Sequence, residues 1–294
     1  MIETIPAKTI VTRTKTTAWF GARYNMNIYR GCCHGCLYCD SRSDCYRVET
    51  FDTVRAKEDA LRIIRDDLRR KVQRGVIATG AMSDPYNPFE AETQLTRHAL
   101  ELVAAYGFGV AVATKGTLVA RDVDVLREVA AQAPVILKIT ITCADDDLAR
   151  VIEPHAPPSS ERFAALAALR EQGIYAGVLL MPLLPWISDF EENVLAVTER
   201  AAQSGARFVF PGFGLTLRAG QREYFYAGLD RAFPGLRAQY EARYGPRYQA
   251  TSPRARELYA AFAAACARLG LLYRMPDIIG SYKRGYEPEQ LSFL

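Results

Sequence analysis

The middle of the chain alternates between two hydrophobic patterns. In one, apolar residues recur at helical spacing, as in residues 52–74, where Ala60, Ile64, Leu68 and Val72 share one face. In the other, short and nearly continuous apolar runs predict buried strands. The predicted strands cover residues 24–29, 76–79, 108–114, 135–142, 174–181 and 207–210, and the predicted helices cover residues 52–74, 93–106, 122–132, 159–172 and 189–203.

This strand–helix alternation predicts a parallel sheet with helices packed outside it. Six strands are too few to close an eight-stranded α/β barrel of the usual kind. We expect an α/β domain over residues 1–214, which begins with a short extension over residues 1–23, and a mainly helical cap over residues 215–294. Within the cap, helices are predicted at residues 221–229, 236–244 and 253–269, and the tail that follows has an irregular pattern.

The chain has 294 residues, of which 49% are apolar, so it can bury a full core. That length suits one barrel-type domain or two small domains. The longest apolar stretch, residues 174–187, is interrupted by Gly177, Pro182 and Pro185, so it predicts a strand and a turn and not a membrane span. The N-terminus lacks the pattern of a signal peptide. We therefore expect a cytoplasmic protein in a reducing environment, without a membrane partner.

The net charge of +4 is unevenly distributed along the chain. Residues 1–74 and 206–294 carry an excess of Lys and Arg, whereas residues 75–205 carry an excess of Asp and Glu. If the two basic ends converge in space, they form a face that suits a polyanion. An ordinary mixed surface explains the same distribution equally well.

Four of the seven cysteines lie in residues 31–39, which read Gly-Cys-Cys-His-Gly-Cys-Leu-Tyr-Cys. In a reducing compartment, cysteines this close in sequence most often share one metal centre. The spacing Cys32-x3-Cys36-x2-Cys39 supplies three thiolate ligands and leaves Cys33 outside the set.

Two kinds of metal centre accept three thiolates. A zinc ion needs a fourth ligand, for which His34 is the nearest candidate. An iron–sulfur cubane held by three thiolates leaves one iron free to bind another molecule. A purely structural thiol cluster is a third alternative.

Polar residues follow several predicted strands, where ligands bind in parallel α/β folds. Gly80 lets a ligand approach the backbone closely, and Lys115 can neutralise a carboxylate. Tight turns, a solvated lysine and ordinary β-branched residues explain the same sequence without a ligand. The candidate binding residues at the strand ends are Gly80, Ser83, Asp84, Thr114, Lys115, Thr140, Thr142 and Met181.

The cysteine spacing, with the aromatic Tyr38 directly before Cys39, resembles the signature of the radical S-adenosylmethionine (SAM) superfamily. Further motifs stand in the order found in its spore photoproduct lyase-like members, and the resemblance covers residues 20–215. These motifs are Asn27-Ile28-Tyr29-Arg30-Gly31-Cys32, Ser83-Asp84-Pro85, Thr114-Lys115 and Glu153-Pro154, with Arg162 at the start of the next helix. The resemblance implies a partial (β/α)6 barrel of the TIM type.

The resemblance also implies the chemistry. Cys32, Cys36 and Cys39 would hold a [4Fe–4S] cluster whose open iron binds SAM, and an external electron donor of the flavodoxin or ferredoxin type would reduce it. SAM is then cleaved to methionine and a 5′-deoxyadenosyl radical, which abstracts hydrogen from the substrate. Taken together, the resemblance and the strand-end pattern give these candidate SAM contacts: Tyr38, Gly80, Ala81, Ser83, Asp84, Thr114, Lys115, Thr140, Thr142, Glu153 and Met181.

One departure from the family concerns the end of the reaction. In the photoproduct lyase, a cysteine just before the counterpart of Ser83-Asp84 donates a hydrogen atom, but Ala81 and Met82 stand here. Repair of thymine dimers by that route is therefore not expected. Cys143, Cys45 or a tyrosine is a candidate replacement donor. The alternative role for each cysteine outside the cluster set is packing as a small apolar residue.

Two classes of substrate remain open: a modified or damaged nucleic-acid base, and a peptide or small molecule. Two runs of aromatic and basic residues, 243–248 and 282–286, favour the nucleic acid, because such residues stack bases and contact phosphates. Residues 290–294 resemble a peptide that docks on bacterial sliding clamps, although a tail packed against its own domain is the favoured alternative. A non-catalytic iron–sulfur protein for electron transfer or redox sensing does not explain the loops at the strand ends.

Overall fold

The computed structural model describes residues 2–286. Its strands are β1 (Glu3–Ile5), β2 (Val11–Arg13), β3 (Tyr24–Met26), β4 (Tyr29–Arg30), β5 (Arg55–Lys57), β6 (Val76–Thr79), β7 (Gly109–Thr114), β8 (Val135–Thr140), β9 (Ala176–Leu180), β10 (Val209–Pro211), β11 (Gly214–Thr216) and β12 (Gln249–Thr251). Its α-helices are α1 (Ala60–Arg69), α2 (Glu90–Thr93), α3 (Leu95–Ala105), α4 (Val123–Ala130), α5 (Asp146–Ile152), α6 (Ser159–Glu171), α7 (Glu191–Gln203), α8 (Gln221–Ala232), α9 (Leu236–Tyr244), α10 (Ala255–Leu269) and α11 (Met275–Lys283).

Seven of the strands form one sheet, in the order β10-β9-β8-β7-β6-β3-β2. The six strands from β10 to β3 are parallel neighbours, and β2 pairs antiparallel with β3 at the edge. These six correspond to the six strands predicted from the sequence. The α/β prediction is therefore confirmed, and the sheet with its helices forms a partial (β/α)6 barrel of the TIM type.

The central strands are buried on both faces, which explains their nearly continuous apolar sequences. On the outer face, Val110, Leu137 and Val178 belong to the largest apolar core, together with residues of the surrounding helices. On the inner face, Ala111 and Ile136 belong to a separate apolar cluster inside the barrel. Burial on both faces is typical of parallel strands covered by helices.

The chain after β10 is mainly helical, as predicted, but it also contains the antiparallel pair β11–β12. Helix α10 packs against α7, and its Leu258, Phe262 and Cys266 belong to the main core. The division into domains between residues 214 and 215 stays a prediction. No helix within residues 2–286 has the length and apolar character needed to cross a membrane.

Two local predictions are wrong. The helix predicted over residues 52–74 begins only at Ala60, because β5 precedes it and pairs with β1 and β4. Asp59, in the left-handed region with φ of 51°, marks the start of α1. The tail predicted to be irregular contains α11, whose Ile278 and Tyr282 pack inside the barrel with Phe20.

Candidate active site

A cavity of about 590 Å³ lies at the carboxyl ends of the parallel strands. Its volume falls in the range of known cofactor and substrate sites. Loops that are distant in sequence meet here because parallel strands all end at the same edge of the sheet. The predicted site residues that line the cavity are Cys32, Cys36, Tyr38, Cys39, Gly80, Ala81, Ser83, Asp84, Thr114, Lys115, Thr140 and Met181.

The cysteine loop, residues 31–39, follows β4 and is fixed by backbone hydrogen bonds. The N–H of Cys32 donates to the carbonyl of Phe51 (2.8 Å), and the N–H of Leu37 donates to the carbonyl of Ile152 (2.9 Å). Gly31 has φ of 80°, and a Cβ there would lie 2.7 Å from the carbonyl oxygen of Phe51, so the turn requires glycine. The loop therefore holds its thiols in a set position.

Three thiols of this loop line the cavity, whereas Cys33 packs against the main core. Burial raises the pKa of the Cys32 and Cys36 thiols to about 12 and that of the Cys39 thiol to about 11. The positive charge of Lys115 opposes this rise at Cys36 and at Cys39. A bound metal centre deprotonates such thiols outright. This donor set fits an iron–sulfur cluster held by three thiolates.

His34 does not complete a zinc site. Its Nε2 lies 3.1 Å from Oδ2 of Asp84, and both side chains are buried. Its Nδ1 lies 3.4 Å from the carbonyl oxygen of His155. Within residues 2–286, no group of three or more His, Cys, Asp or Glu residues is arranged to hold a single metal ion. Both ring nitrogens of His34 therefore face oxygens of the protein, so neither is free to act as a fourth zinc ligand.

Asp84 is buried, and its carboxylate accepts several hydrogen bonds. The donors are the N–H groups of Tyr86 (2.9 Å) and Lys115 (2.7 Å) and the hydroxyl of Thr114. Burial by itself raises the pKa of Asp84, but His34 and these donors hold it well below its usual range. The ionised carboxylate therefore ties the end of β6 to the end of β7.

The loop after β6 also contacts its other neighbours closely. Gly80 has φ of 95°, and a Cβ there would lie 1.8 Å from the carbonyl oxygen of Ala113, so no other residue fits. The Ser83 hydroxyl donates to the carbonyl of Gly31, at the start of the cysteine loop. The cysteine loop and the strand ends thus form one connected wall of the cavity.

A buried ion pair supports this wall. Arg162 Nη1 lies 2.6 Å from Glu153 Oε2, and both side chains are fully buried. Glu153 also accepts hydrogen bonds from the Tyr38 hydroxyl and from Thr142 Oγ1 (3.1 Å). Burial by itself raises the pKa of Glu153, but Arg162 and Lys115 hold it below its usual value. Glu153 and Thr142 do not line the cavity, so they position Tyr38 from behind.

Lys115 gives the cavity wall a positive charge. Its Nζ lies 5.4 Å from the centroid of the Tyr38 ring. Burial by itself lowers the pKa of Lys115, but Cys36 and Glu153 raise it above its usual value. The side chain is therefore charged and suited to a carboxylate ligand.

The two candidate hydrogen donors lie outside the cavity lining. Cys143 is fully buried among apolar residues, and its thiol lies 3.6 Å from the carbonyl oxygen of Asp145. Cys45 is exposed, and its sulfur lies 3.3 Å from Arg218 Nη1 in a neighbouring surface groove. Their role as donors stays a prediction, and the geometry brings neither of them to the cavity.

The cap contributes site residues that no local sequence pattern marks. Thr216 of β11 and Gln249 and Thr251 of β12 line the cavity. Asp40, directly after the last cysteine of the loop, accepts a hydrogen bond from Thr216 Oγ1 (2.7 Å) and lies 3.2 Å from Arg218 Nε. These residues reach the site only through the pairing of distant segments.

A partial α/β barrel with three thiols and a charged lysine at its strand ends suits an iron–sulfur centre beside a second, negatively charged ligand. Residues 26–197, more than half of the chain, match the family model of the Radical SAM superfamily, and the chain belongs to this superfamily. It is a radical SAM enzyme, and its cofactors are a [4Fe–4S] cluster and SAM.

Several relatives share long parts of the sequence. An uncharacterized protein of Mycobacterium tuberculosis is 33% identical over 244 residues, which cover 81% of this chain and 72% of the relative. An uncharacterized protein of Methanocaldococcus jannaschii is 31% identical over 190 residues, which cover 64% of this chain and 69% of the relative.

Solved structures share the fold. Spore photoproduct lyase complexed with a dinucleoside spore photoproduct has a TM-score of 0.67 and 14% identity, covering 91% of this chain and 80% of that chain. The radical SAM methyltransferase TsrM from Kitasatospora setae, with tryptophan substrate bound, has a TM-score of 0.55 and 13% identity, covering 82% of this chain and 51% of that chain. At these identities the similarity shows the fold alone.

Proposed function

We propose that this enzyme abstracts hydrogen from a modified or damaged base of a nucleic acid. A group of residues here called the rim, Arg218, Arg243, Arg247 and Tyr248, carries this proposal, because these residues line surface grooves next to the cavity. Arginines beside an exposed aromatic ring are typical of surfaces that contact phosphates and stack bases.

The rim is continuous with the cavity through β12. Gln249 and Thr251 line both the cavity and the groove that contains Tyr248. The Tyr248 side chain is 48% exposed, and the Arg218 guanidinium carbon lies 5.1 Å from its ring centroid. A nucleic-acid strand bound along the rim would therefore present a base to the cavity.

Only part of the two aromatic and basic runs is free for such contacts. Tyr244 and Tyr282 are buried, and their hydroxyls donate to the carbonyls of Thr251 (2.7 Å) and Phe20 (2.6 Å). The expectation that both runs stack bases is therefore wrong for these two tyrosines. Support for a nucleic-acid substrate comes from residues 243–248, through Arg243, Arg247 and Tyr248.

The residues that line the cavity have different roles in positioning the reactants. When bound, the reduced cluster and SAM supply the radical that abstracts hydrogen. Cys32, Cys36 and Cys39 would hold the cluster, and the charged Lys115 suits the carboxylate of SAM. Met181 adds an apolar side chain to the cavity wall, which limits access of water to the reacting groups.

Radical SAM enzymes need an electron donor, and a donor of the flavodoxin or ferredoxin type is the one proposed here. The predicted sliding-clamp peptide, residues 290–294, lies outside the described residues, so that contact rests on the sequence alone. The cytoplasmic location also stays a prediction.

A peptide or small molecule is the second candidate substrate. The fold of this enzyme is shared with TsrM, whose structure contains tryptophan, and with spore photoproduct lyase, whose structure contains a dinucleoside. The barrel alone suits either kind of ligand. The arginines of the rim favour the nucleic acid.

Salt-dependent binding of short single-stranded DNA and RNA separates the two candidates. We expect the reconstituted enzyme to lose affinity as salt rises, since bound phosphates release counterions. R243E/R247E should weaken binding by about tenfold or more. R65E/R69E, which changes two exposed arginines of α1 away from the cavity lining, is the matched control and should bind like the unmodified enzyme.

Anaerobic incubation with deuterated oligonucleotides then tests the reaction. Transfer of deuterium into 5′-deoxyadenosine would show that the base is the hydrogen source. Absence of salt-dependent binding together with absence of label transfer would overturn the nucleic-acid assignment.

A further inference from the structure

His34 is a buried side chain that lines the cavity between two of the cluster thiols and is not itself a ligand. It is 3% exposed and stands between Cys32 and Cys36 in the cysteine loop. Its carbonyl accepts a hydrogen bond from the N–H of His155 (3.1 Å), and its Nδ1 lies 3.4 Å from the carbonyl oxygen of His155. One side of His34 is therefore held by the backbone of the loop that follows α5.

The other side of the imidazole faces Asp84 in the loop after β6. His34 Nε2 lies 3.1 Å from Asp84 Oδ2. The carboxylate of Asp84 is ionised and is an acceptor only, so Nε2 carries the hydrogen in this contact. The same oxygen, Oδ2, accepts the backbone N–H of Lys115 (2.7 Å). One carboxylate oxygen therefore joins the cysteine loop to the strand end that carries Lys115.

Asp84 is suited to be a fixed point between these two segments. Its other oxygen, Oδ1, accepts the N–H of Tyr86 (2.9 Å) and the hydroxyl of Thr114. Both carboxylate oxygens are thus engaged by groups of the protein. Lys115, whose charge suits the carboxylate of SAM, lines the same cavity as the three cluster thiols. The contact between His34 and Asp84 therefore spans the place where the two cofactors meet.

We propose that His34 is a positioning residue, which acts through Asp84 to hold the cysteine loop at a fixed distance from the residues that bind SAM. Without this contact the loop still offers three thiolates to the cluster, but the open iron is no longer held in register with the groups of SAM. A shift of about 1 Å between reacting groups is enough to cost a large factor in rate. This role of His34 is independent of the substrate, so it can fail while the nucleic-acid function holds.

Binding of SAM to the reconstituted enzyme tests this role without turnover. It is measured anaerobically by equilibrium titration and by the electron paramagnetic resonance spectrum of the reduced cluster, which changes when SAM binds the open iron. H34L removes the donor and keeps an apolar side chain in the space. It should retain the iron and raise the Kd for SAM by about tenfold, the effect of one hydrogen bond to a charged group. H34Q, whose amide N–H can donate to Asp84, should bind SAM within about threefold of the unmodified enzyme.

H98L is the matched control, because His98 also contacts a carboxylate, that of Glu101, but lies outside the cavity lining. It should bind SAM like the unmodified enzyme. A double-mutant cycle separates a shared role from two local ones. D84N should weaken SAM binding as well, and H34L/D84N should be no weaker than the weaker single variant, because the two residues act as one unit.

Iron content and melting temperature show which variants are folded and loaded. If H34L loses the cluster, an H34Q that keeps both the cluster and the affinity for SAM still supports the role, and loss in both variants overturns it. Unchanged SAM affinity and an unchanged spectrum in H34L also overturn it. So do an H34Q that binds SAM no better than H34L, and losses that add in H34L/D84N.

Discussion

The charged pairs at the strand ends and those at the rim differ in how much water reaches them. Glu153 and Arg162 lie 2.6 Å apart in full burial. Asp40 and Arg218 lie 3.2 Å apart, with side chains that are 38% and 30% exposed. A buried pair is strongly destabilised when one partner is lost, whereas an exposed pair contributes little. The buried pair therefore maintains the cofactor end of the barrel, and the rim charges can exchange their partners at little energetic cost.

The largest effect is expected at the strand ends, where the cofactor is held. C36A should abolish cluster binding and SAM cleavage, because two thiolates remain from a set of three. Iron content, the visible absorption of the cluster and 5′-deoxyadenosine formation check this. C33A removes a thiol that packs outside the cavity and should retain the cluster. A loaded and active C36A would contradict the assignment of the ligands.

Loss of one partner of the buried pair should have the next largest effect. R162M leaves Glu153 buried without its counter-charge and should lower the free energy of unfolding by about 3 kcal/mol. Chemical denaturation of the reconstituted protein measures it. R162M/E153Q removes both charges and should recover part of the loss. Unchanged stability in R162M would show that the comparison between buried and exposed pairs does not hold here.

Lys138 of β8 extends the comparison to a buried charge that has no carboxylate partner among the described residues. Burial lowers its pKa from 10.5 to about 7, so between these values the unfolded chain binds more protons than the folded chain. The stability of the unmodified protein relative to K138M should therefore be lowest below pH 7 and rise above it, by up to about 1.4 kcal/mol per pH unit. Groups shared by both proteins, such as the buried thiols, cancel in this difference. Unfolding measured from pH 6 to pH 9 checks the slope, and a flat difference would contradict the burial of the amine.

The smallest effect on stability is expected at the rim. R218A removes a partly exposed pair and should change the free energy of unfolding by less than about 1 kcal/mol. It should nevertheless weaken oligonucleotide binding and reduce the slope of affinity against salt by about one. Denaturation and binding measured on the same variant test both statements. A large loss of stability with unchanged binding would reverse the roles assigned to the two regions.

The parts of the fold that could be predicted are those with local periodicity. The six parallel strands and the helices between them have repeated apolar patterns, so their order follows from the sequence. Strands β5 and β12 have three residues each and form only because β1 and β11 pair with them. Strands of three residues are too short to show a hydrophobic period in the sequence.

The candidate site likewise divides into residues that the local sequence marks and residues that only the fold brings together. Cysteine spacing is local, and it was sufficient to indicate a centre with three thiolate ligands. Asp40 and Gln249 join the cavity through contacts between distant segments, and nothing near them in the sequence marks this. Glu153 and Thr142 were expected to contact SAM, but they lie behind Tyr38 because the ion pair with Arg162 draws them into the interior.

Helix α11 restricts the route by which molecules enter and leave. Its Ile278 and Tyr282 fill the inside of the barrel near the first residues of the strands, and Lys283 Nζ donates to the carbonyl of Gly21 (2.8 Å). Within the described residues, α11 therefore fills that end of the barrel, and the rim side is the expected route for ligands. A nucleic acid that covers the rim encloses whatever lies beneath it. If the substrate is the proposed nucleic acid, turnover should accordingly be ordered, with SAM entering before the nucleic acid and methionine leaving after it.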